Sequence, residues 1–397
     1  MIFQALDSKE ECFGIFADGR LIFDNQPENL SATWKYSPSV FSQKEIEYAY
    51  VLSSGATLSE MCPEFLEEEW SAAESKMKAF FRSFSCAKVS LDENCFFDMV
   101  PNKFLHDYYS LRNEITRHTL QTCKKQKNYN FLASVHEMIE TIASQKLNID
   151  SNALNKKMHQ IKTRSFSQKL VKISPFVRYN MFGSKTGRLT NVKRTFPILT
   201  MDKEHRCVIK PKNDLFVELD YNGAEIRTLL ALSGKEQPVG DIHQWNVENL
   251  TSGNTSRHEM KERFFAWLYN PSARDEAIEK HYDRNVSDDF WDGDIVSTPY
   301  GREIPADKHH SLNYLIQSTT NDLVLENALK IFDYLSDKET NIAFTVHDSV
   351  VLDFKASEFK SLLPIVEMFE NTRFGNFKAN VSAGKDYGNL KEIACKR

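Results

Sequence analysis

A chain of 397 residues with 41% hydrophobic content can bury a large core and has room for two or three domains. It contains no 18-residue apolar run and no charged-then-apolar leader, which argues against a membrane-bound or exported protein and for a soluble, cytoplasmic one. The net charge of −5 excludes a chain that is basic throughout. The seven cysteines (Cys12, Cys62, Cys86, Cys95, Cys123, Cys207 and Cys395) are scattered and never spaced Cys-x-x-Cys, so neither a disulfide framework nor a zinc site is expected and a reducing compartment fits.

In chain order, residues 2–5, 12–17 and 21–24 read as short strands, with Asp18-Gly19 as a hairpin turn. Helical patterns follow, notably over 63–84, and 129–150 reads as a helix ending in Leu147-Asn-Ile-Asp150. From Asn155 to Lys212 there are fifteen Lys or Arg against Asp202 and Glu204. A solvated helix face would interleave both signs, so this segment is expected to track a nucleic-acid backbone. Within it, Gly183-Ser-Lys-Thr186-Gly187-Arg188-Leu189-Thr190 reads by itself as a basic turn.

The most informative stretch is Phe216-Val-Glu-Leu-Asp220-Tyr-Asn-Gly-Ala-Glu225-Ile-Arg, which predicts strand, turn and helix. A carboxylate at the end of a buried strand is well placed for a divalent metal. Equally, Asp220 could punctuate the strand while Asn222 and Glu225 form a capping box. Downstream, Asp241-Ile-His243 holds a lone histidine, more often structural than a ligand. Arg257, Lys261, Phe265 and Tyr269 are four apart in succession and line one helical face with two cations, then two aromatics. Cations in that order would hold a triphosphate while an aromatic stacks on a base.

Asp292-Gly-Asp and Thr298-Pro-Tyr-Gly301-Arg302 read as turns, and Asn313 and Gln317 lie one turn apart on a long amphipathic helix. Finally, two apolar runs flank His347-Asp348 within 343–354 and predict a hairpin with the Asp at its tip. Two such carboxylates on neighbouring strands can share two metal ions about 3.5–4 Å apart, the arrangement used for in-line displacement at phosphorus.

Asp-Tyr-x-x-x-Glu-Ile-Arg, Arg-x-x-x-Lys-x-x-x-Phe-x-x-x-Tyr and Val-His-Asp, in that order, resemble the three polymerase motifs of family A DNA polymerases, over roughly residues 130–397. The resemblance implies an α+β right-hand fold with an antiparallel-sheet palm, helical fingers, a shortened thumb and a small α/β N-terminal domain. The expected division is an accessory or reduced exonuclease-like domain over 1–125, thumb 126–185, palm 186–240 and 301–397, and fingers 241–300. Asn94-Cys-Phe-Phe-Asp98 resembles one exonuclease motif, but no Asp-x-Glu precedes it, so no proofreading is expected.

By the same resemblance, Asp220 and Asp348 with the Tyr221 carbonyl would hold two Mg²⁺ ions, with Mn²⁺ as a substitute. Arg257, Lys261, Phe265, Tyr269, Glu225 and His243 would meet the incoming deoxynucleotide, Lys261 being the candidate proton donor and Glu225 the residue that crowds the sugar 2′ position. Thr186, Arg188, Arg302, Asn313, Gln317 and His347 would contact primer-template DNA, and a processivity or replication partner would complement the short thumb. Gly223, Asn270, His309 and Ser349 depart from the family pattern. Ser349 stands where a Glu commonly follows His-Asp, a feature shared with single-subunit RNA polymerases. The alternatives are therefore an RNA or primer-making polymerase and, in another class, a catalytically silent DNA-binding subunit.

Overall fold

Alternation through Leu215–Tyr221 builds the middle strand of a five-stranded antiparallel sheet, whose order is Asn341–Val346, Ser349–Phe354, Leu215–Tyr221, Ala379–Gly384, Lys391–Glu392. The computed structural model describes residues 1–6, 13–40, 45–91, 93–251, 255–270 and 272–394, which divide into two units, Met1–Gln145 and Lys146–Arg397.

In the second unit, one face of the sheet is covered by the helices Lys308–Tyr334 and Leu362–Glu370. Tyr221 stacks on Phe369 with ring centroids 4.0 Å apart, and Asn327 Nδ2 donates to the Tyr221 hydroxyl (2.8 Å) and the Phe369 carbonyl (2.7 Å). Because side chains alternate along a strand, Phe216, Glu218 and Asp220 lie on the opposite face. A separate apolar core joins the helices Ala224–Leu232, Ile242–Leu250, Arg257–Tyr269 and Glu276–His281 through Ile226, Leu229, Ile242, Met260, Phe264, Trp267 and Ile278.

The first unit pairs Phe3–Ala5, Ile15–Ala17 and Arg20–Ile22 in an antiparallel sheet, with a parallel bridge from Ile2 to Ala32 and a parallel pair Ala32–Thr33/Glu47–Tyr48. The expected Asp18-Gly19 turn is present with both residues at positive φ (50° and 69°), as a two-residue hairpin turn requires. Helices Glu67–Cys86, Asn102–Thr122 and Tyr129–Ser144 complete the unit.

Three expectations are corrected. The unit does not end at 125. The Tyr129–Ser144 helix belongs to it, because Tyr129 Oη accepts from Tyr48 N (2.7 Å) and the buried His136 Nε2 accepts from Tyr36 N (3.0 Å). That helix stops at Ser144, not Asp150, since Asn148–Ile149 extends to pair with Ile209–Lys210. Cys95 is disulfide-bonded, while Cys62, Cys86, Cys123 and Cys207 are free. Pairing needs proximity in space, on which sequence spacing is silent. Among the described residues no helix is long and apolar enough to cross a membrane.

Candidate active site

Asp220 lies one residue before the end of its strand, opposite Ser349, and Asp348 occupies the two-residue tip between the paired residues Val346 and Ser349. His347 at that tip has φ 54°, a conformation few non-glycine residues adopt. Burial pushes the Asp220 carboxyl up to about 7, helped by the charges of Asp348 and Glu218 and opposed by Lys261 and Lys203. Burial also raises Asp348, against His347, Arg188 and Lys261. Residues 188, 220, 261 and 348, remote in sequence, thus share one electrostatic neighbourhood.

Neither aspartate forms an ion pair among the described residues, so two half-buried like charges stand together without a contacting cation. No cluster of three or more His, Cys, Asp or Glu side chains in metal-ligating arrangement occurs among the described residues. A pair of hard carboxylate oxygens nevertheless fits Mg²⁺, which is commonly held by one or two carboxylates with substrate phosphates completing its shell. The Tyr221 side chain is turned to the helical face, donating to the Phe369 carbonyl, so only its backbone carbonyl is available to such an ion.

The helix after the turn starts from Gly223 at φ 68°, and the Asn222–Glu225 capping box does not form. Asn222 Oδ1 instead accepts from Ile242 N (2.8 Å). Glu225 is free to accept from both Arg188 and Tyr269, and Gln317 also bonds Tyr269. A cavity of about 250 Å³ beside this network is lined by Arg188, Glu225, Thr320, Asn321, Val324, His347 and Asp348. Gly223 is enforced by packing: a Cβ there would stand 2.4 Å from Ile242 Cγ2, which leaves no room for a side chain.

The cationic helix is launched by a complete capping box, Ser256 with Glu259. Arg257 and Lys261 are exposed on it, while Phe265 and Tyr269 stack with centroids 5.9 Å apart. Asp241 was not singled out from the sequence, yet it joins two elements. Its carboxylate caps the Ile242–Leu250 helix through His243 N (2.9 Å) and Gln244 N (3.0 Å), and it takes Arg257 at 2.7 and 3.1 Å. Its N-cap position before Ile-His was the available signal. His243 is buried with Nδ1 unpartnered, and desolvation, with Lys261 and Arg257 nearby, lowers it to about 4, so it is neutral at neutral pH. Arg227, also passed over, is almost wholly buried and ties the turn to the 237–240 loop through Asn222 O (2.8 Å), Pro238 O (3.2 Å) and Gly240 O (2.6 Å).

Two expected DNA contacts lie elsewhere. Thr186 is buried. Arg302 is held bidentately by the fully buried Asp322, at 2.8 and 2.9 Å, and cannot reach out without stranding that charge. Asn313 and Gln317 are half-buried on the long helix, and His347 is exposed. The Arg302 guanidinium lies 2.3 Å from where a Cβ of Gly187 would be, and Gly187 has φ 75°. Gly187→Ala should therefore break the Arg302–Asp322 pair and destabilise the protein by about 3–5 kcal/mol. The urea midpoint measures this; a loss under about 1 kcal/mol would mean that the pair survives.

Comparison with known proteins places this geometry first at the level of fold. The chain resembles the POL domain of Pol1 from M. smegmatis, solved in complex with DNA primer-template and dNTP, with a TM-score of 0.59 at 12% identity, covering 86% of this chain and 81% of that one. In sequence, it is similar to proteins described as DNA polymerase from Mycobacterium phage D29 (21% identical over 189 residues) and Mycobacterium phage L5 (22% over 184 residues). Those stretches cover 38% of this chain and 31% and 30% of the phage proteins, so the match spans about a third of the relatives' length. No protein-family model matches.

Proposed function

We propose that the chain is a DNA-directed DNA polymerase that adds deoxynucleotides to a primer 3′-OH and releases pyrophosphate. The observation that carries this reading is the approach of Asp220, Asp348 and Lys261 from a strand, a hairpin tip and a helix far apart in sequence. Held by Asp220, Asp348 and the Tyr221 carbonyl, two Mg²⁺ ions would lower the pKa of the 3′-OH and neutralise the leaving group.

The rest falls to side chains. Arg257, turned from Asp241, and Lys261 bind the triphosphate, and Lys261 gives a proton to the departing pyrophosphate. Phe265, already stacked on Tyr269, presents a ring to the base. Neutral His243 lies near the same cations. Arg188, while keeping its bond to Glu225, offers its remaining N–H groups to the minor groove at the primer end, where acceptors occur at every base pair. Asn313, Gln317 and His347 take the remaining template and primer contacts.

The sheet then serves as palm, the four helices around Phe264 as fingers, and the Ile161–Leu170 helix as what remains of a thumb. In the first unit the strand after Ile2 carries Gln4, which donates to Asn113 (3.2 Å) and Thr116 (2.9 Å), and Asp98 is exposed. This favours a scaffold without nuclease chemistry. The phage relatives are in keeping with a replicase of viral type.

Primer extension by the purified protein with Mg²⁺ and dNTPs tests the reading, and no extension would reject it. Sugar choice tests Glu225. Fixed by Arg188 and Tyr269, its carboxylate can occupy the 2′ position and favours DNA over RNA synthesis. Glu225→Ala should relax discrimination against rNTPs by roughly 10–200-fold, the range that one steric group provides. An unchanged dNTP/rNTP ratio would leave Glu225 a structural acceptor.

A further inference from the structure

On the open face of the sheet, Glu218 stands two residues before Asp220 and so points the same way. Its Oε1 lies 3.4 Å from Ser349 Oγ, and Ser349 is the register partner of Asp220 and the residue directly after Asp348. The Ser349 hydroxyl also lies 3.0 Å from Val346 O, across the tip that carries Asp348. Glu218 therefore touches the hairpin that holds one aspartate and shares a strand with the other.

A structural carboxylate at this depth is offset by several hydrogen-bond donors, as Asp353 is by Lys212 N and Asn213 N, or by a contacting cation. Glu218 has no cation in contact among the described residues: Arg206 and Lys203 act on it only at longer range, and Arg206 sits over the Tyr387 ring at 4.7 Å. Glu218 and Asp220 on one partly desolvated face, with the charge of Asp348 acting on both and no cation in contact, are unfavourable unless an external positive charge arrives. Position 349, where the resembling family commonly has a Glu, carries Ser here. The negative charge absent after Asp348 is present one strand away, against that same serine.

We propose that Glu218 is a positioning residue of the nucleotidyl-transfer site, supplying from the middle strand the third carboxylate that position 349 lacks. It sets the field around Asp220 and orients the Asp348 tip through Ser349, so that a divalent cation is held more tightly. This rests on the polymerase reading above.

The test is a relocation of charge, comparing wild type, Glu218→Gln and the double variant Glu218→Ser/Ser349→Glu. Each is mixed with primer-template ending in a dideoxynucleotide and a matched dNTP, and Mn²⁺ binding is followed by electron paramagnetic resonance. Primer extension against Mg²⁺ concentration runs in parallel. Glu218→Gln should raise the half-saturating metal concentration by about 10–100-fold, as expected for a group that acts on a metal through its ligands, with its urea midpoint no lower than wild type. The double variant, with the carboxylate moved across to 349, should recover the wild-type metal midpoint. An unshifted midpoint in Glu218→Gln, or a folded double variant without recovery, would overturn the proposal while wild-type extension leaves the polymerase reading standing. Absence of wild-type extension would remove both.

Discussion

Asp220→Asn or Asp348→Asn removes nucleotide addition by at least about 10³-fold, comparable with losing a preorganised electrostatic contact to the transition state. Asp220→Asn should also stabilise the ligand-free protein at pH 8. Burial, Asp348 and Glu218 raise the Asp220 carboxyl from 3.8 to about 7. The folded state then holds this proton more tightly than the unfolded chain does, so ionisation opposes folding. The penalty is absent below about pH 4, grows between 4 and 7, and is complete above 7. Asparagine removes the charge with little change of volume, so the gain in urea midpoint should be large at pH 8 and vanish near pH 4. Metal binding needs the ionised form, so wild-type extension at limiting Mg²⁺ should decline as pH falls through about 7. Near-normal extension by a folded Asp220→Asn protein would end the two-metal assignment.

What the sequence made legible were features in which local pattern and tertiary role coincide. The Leu215–Tyr221 strand and the hairpin around His347-Asp348 follow from alternation and a two-residue turn, and both catalytic candidates are fixed by that register. The four-residue spacing from Arg257 to Tyr269 survives because the helix does, and its last residue, Tyr269, donates to Glu225. Spacing failed where two partners were equally well placed. Asn222 and Glu225 have capping-box separation, but Gly223 at positive φ becomes the cap and sends Asn222 to Ile242. Residue type also failed to tell a cation bound for DNA from one bound for the core: Arg302 has a buried carboxylate waiting at Asp322, and Arg227 has three carbonyls. The end of the first unit was hidden for a similar reason, since the Tyr129–Ser144 helix is committed to it by long-range bonds to Tyr48 and Tyr36.

The other large effect concerns retention on DNA. Of the segment expected from the sequence to be a thumb, the part in the second unit, 146–185, holds one α-helix of ten residues, Ile161–Leu170, about 15 Å long, and of its side chains only Thr163 is buried. Such an element lies on the surface and cannot enclose a duplex, so holding DNA falls to charge. Of the fifteen Lys and Arg between 155 and 212, four are engaged: Lys157 with Glu204 O, Arg188 with Glu225, Arg206 with the Tyr387 ring and Lys210 with Asp386. The other eleven are exposed and form no ion pair among the described residues. If six to ten of them meet phosphates, affinity for primer-template should drop by about 10³–10⁵ between 50 and 200 mM salt through counterion release. The chain alone should then add few nucleotides per encounter, and fewer as salt rises, unless a partner clamps it. Single-encounter extension with a DNA trap across a salt series measures this. Long products that persist at 200 mM salt without a partner would show that something other than phosphate contact holds the DNA.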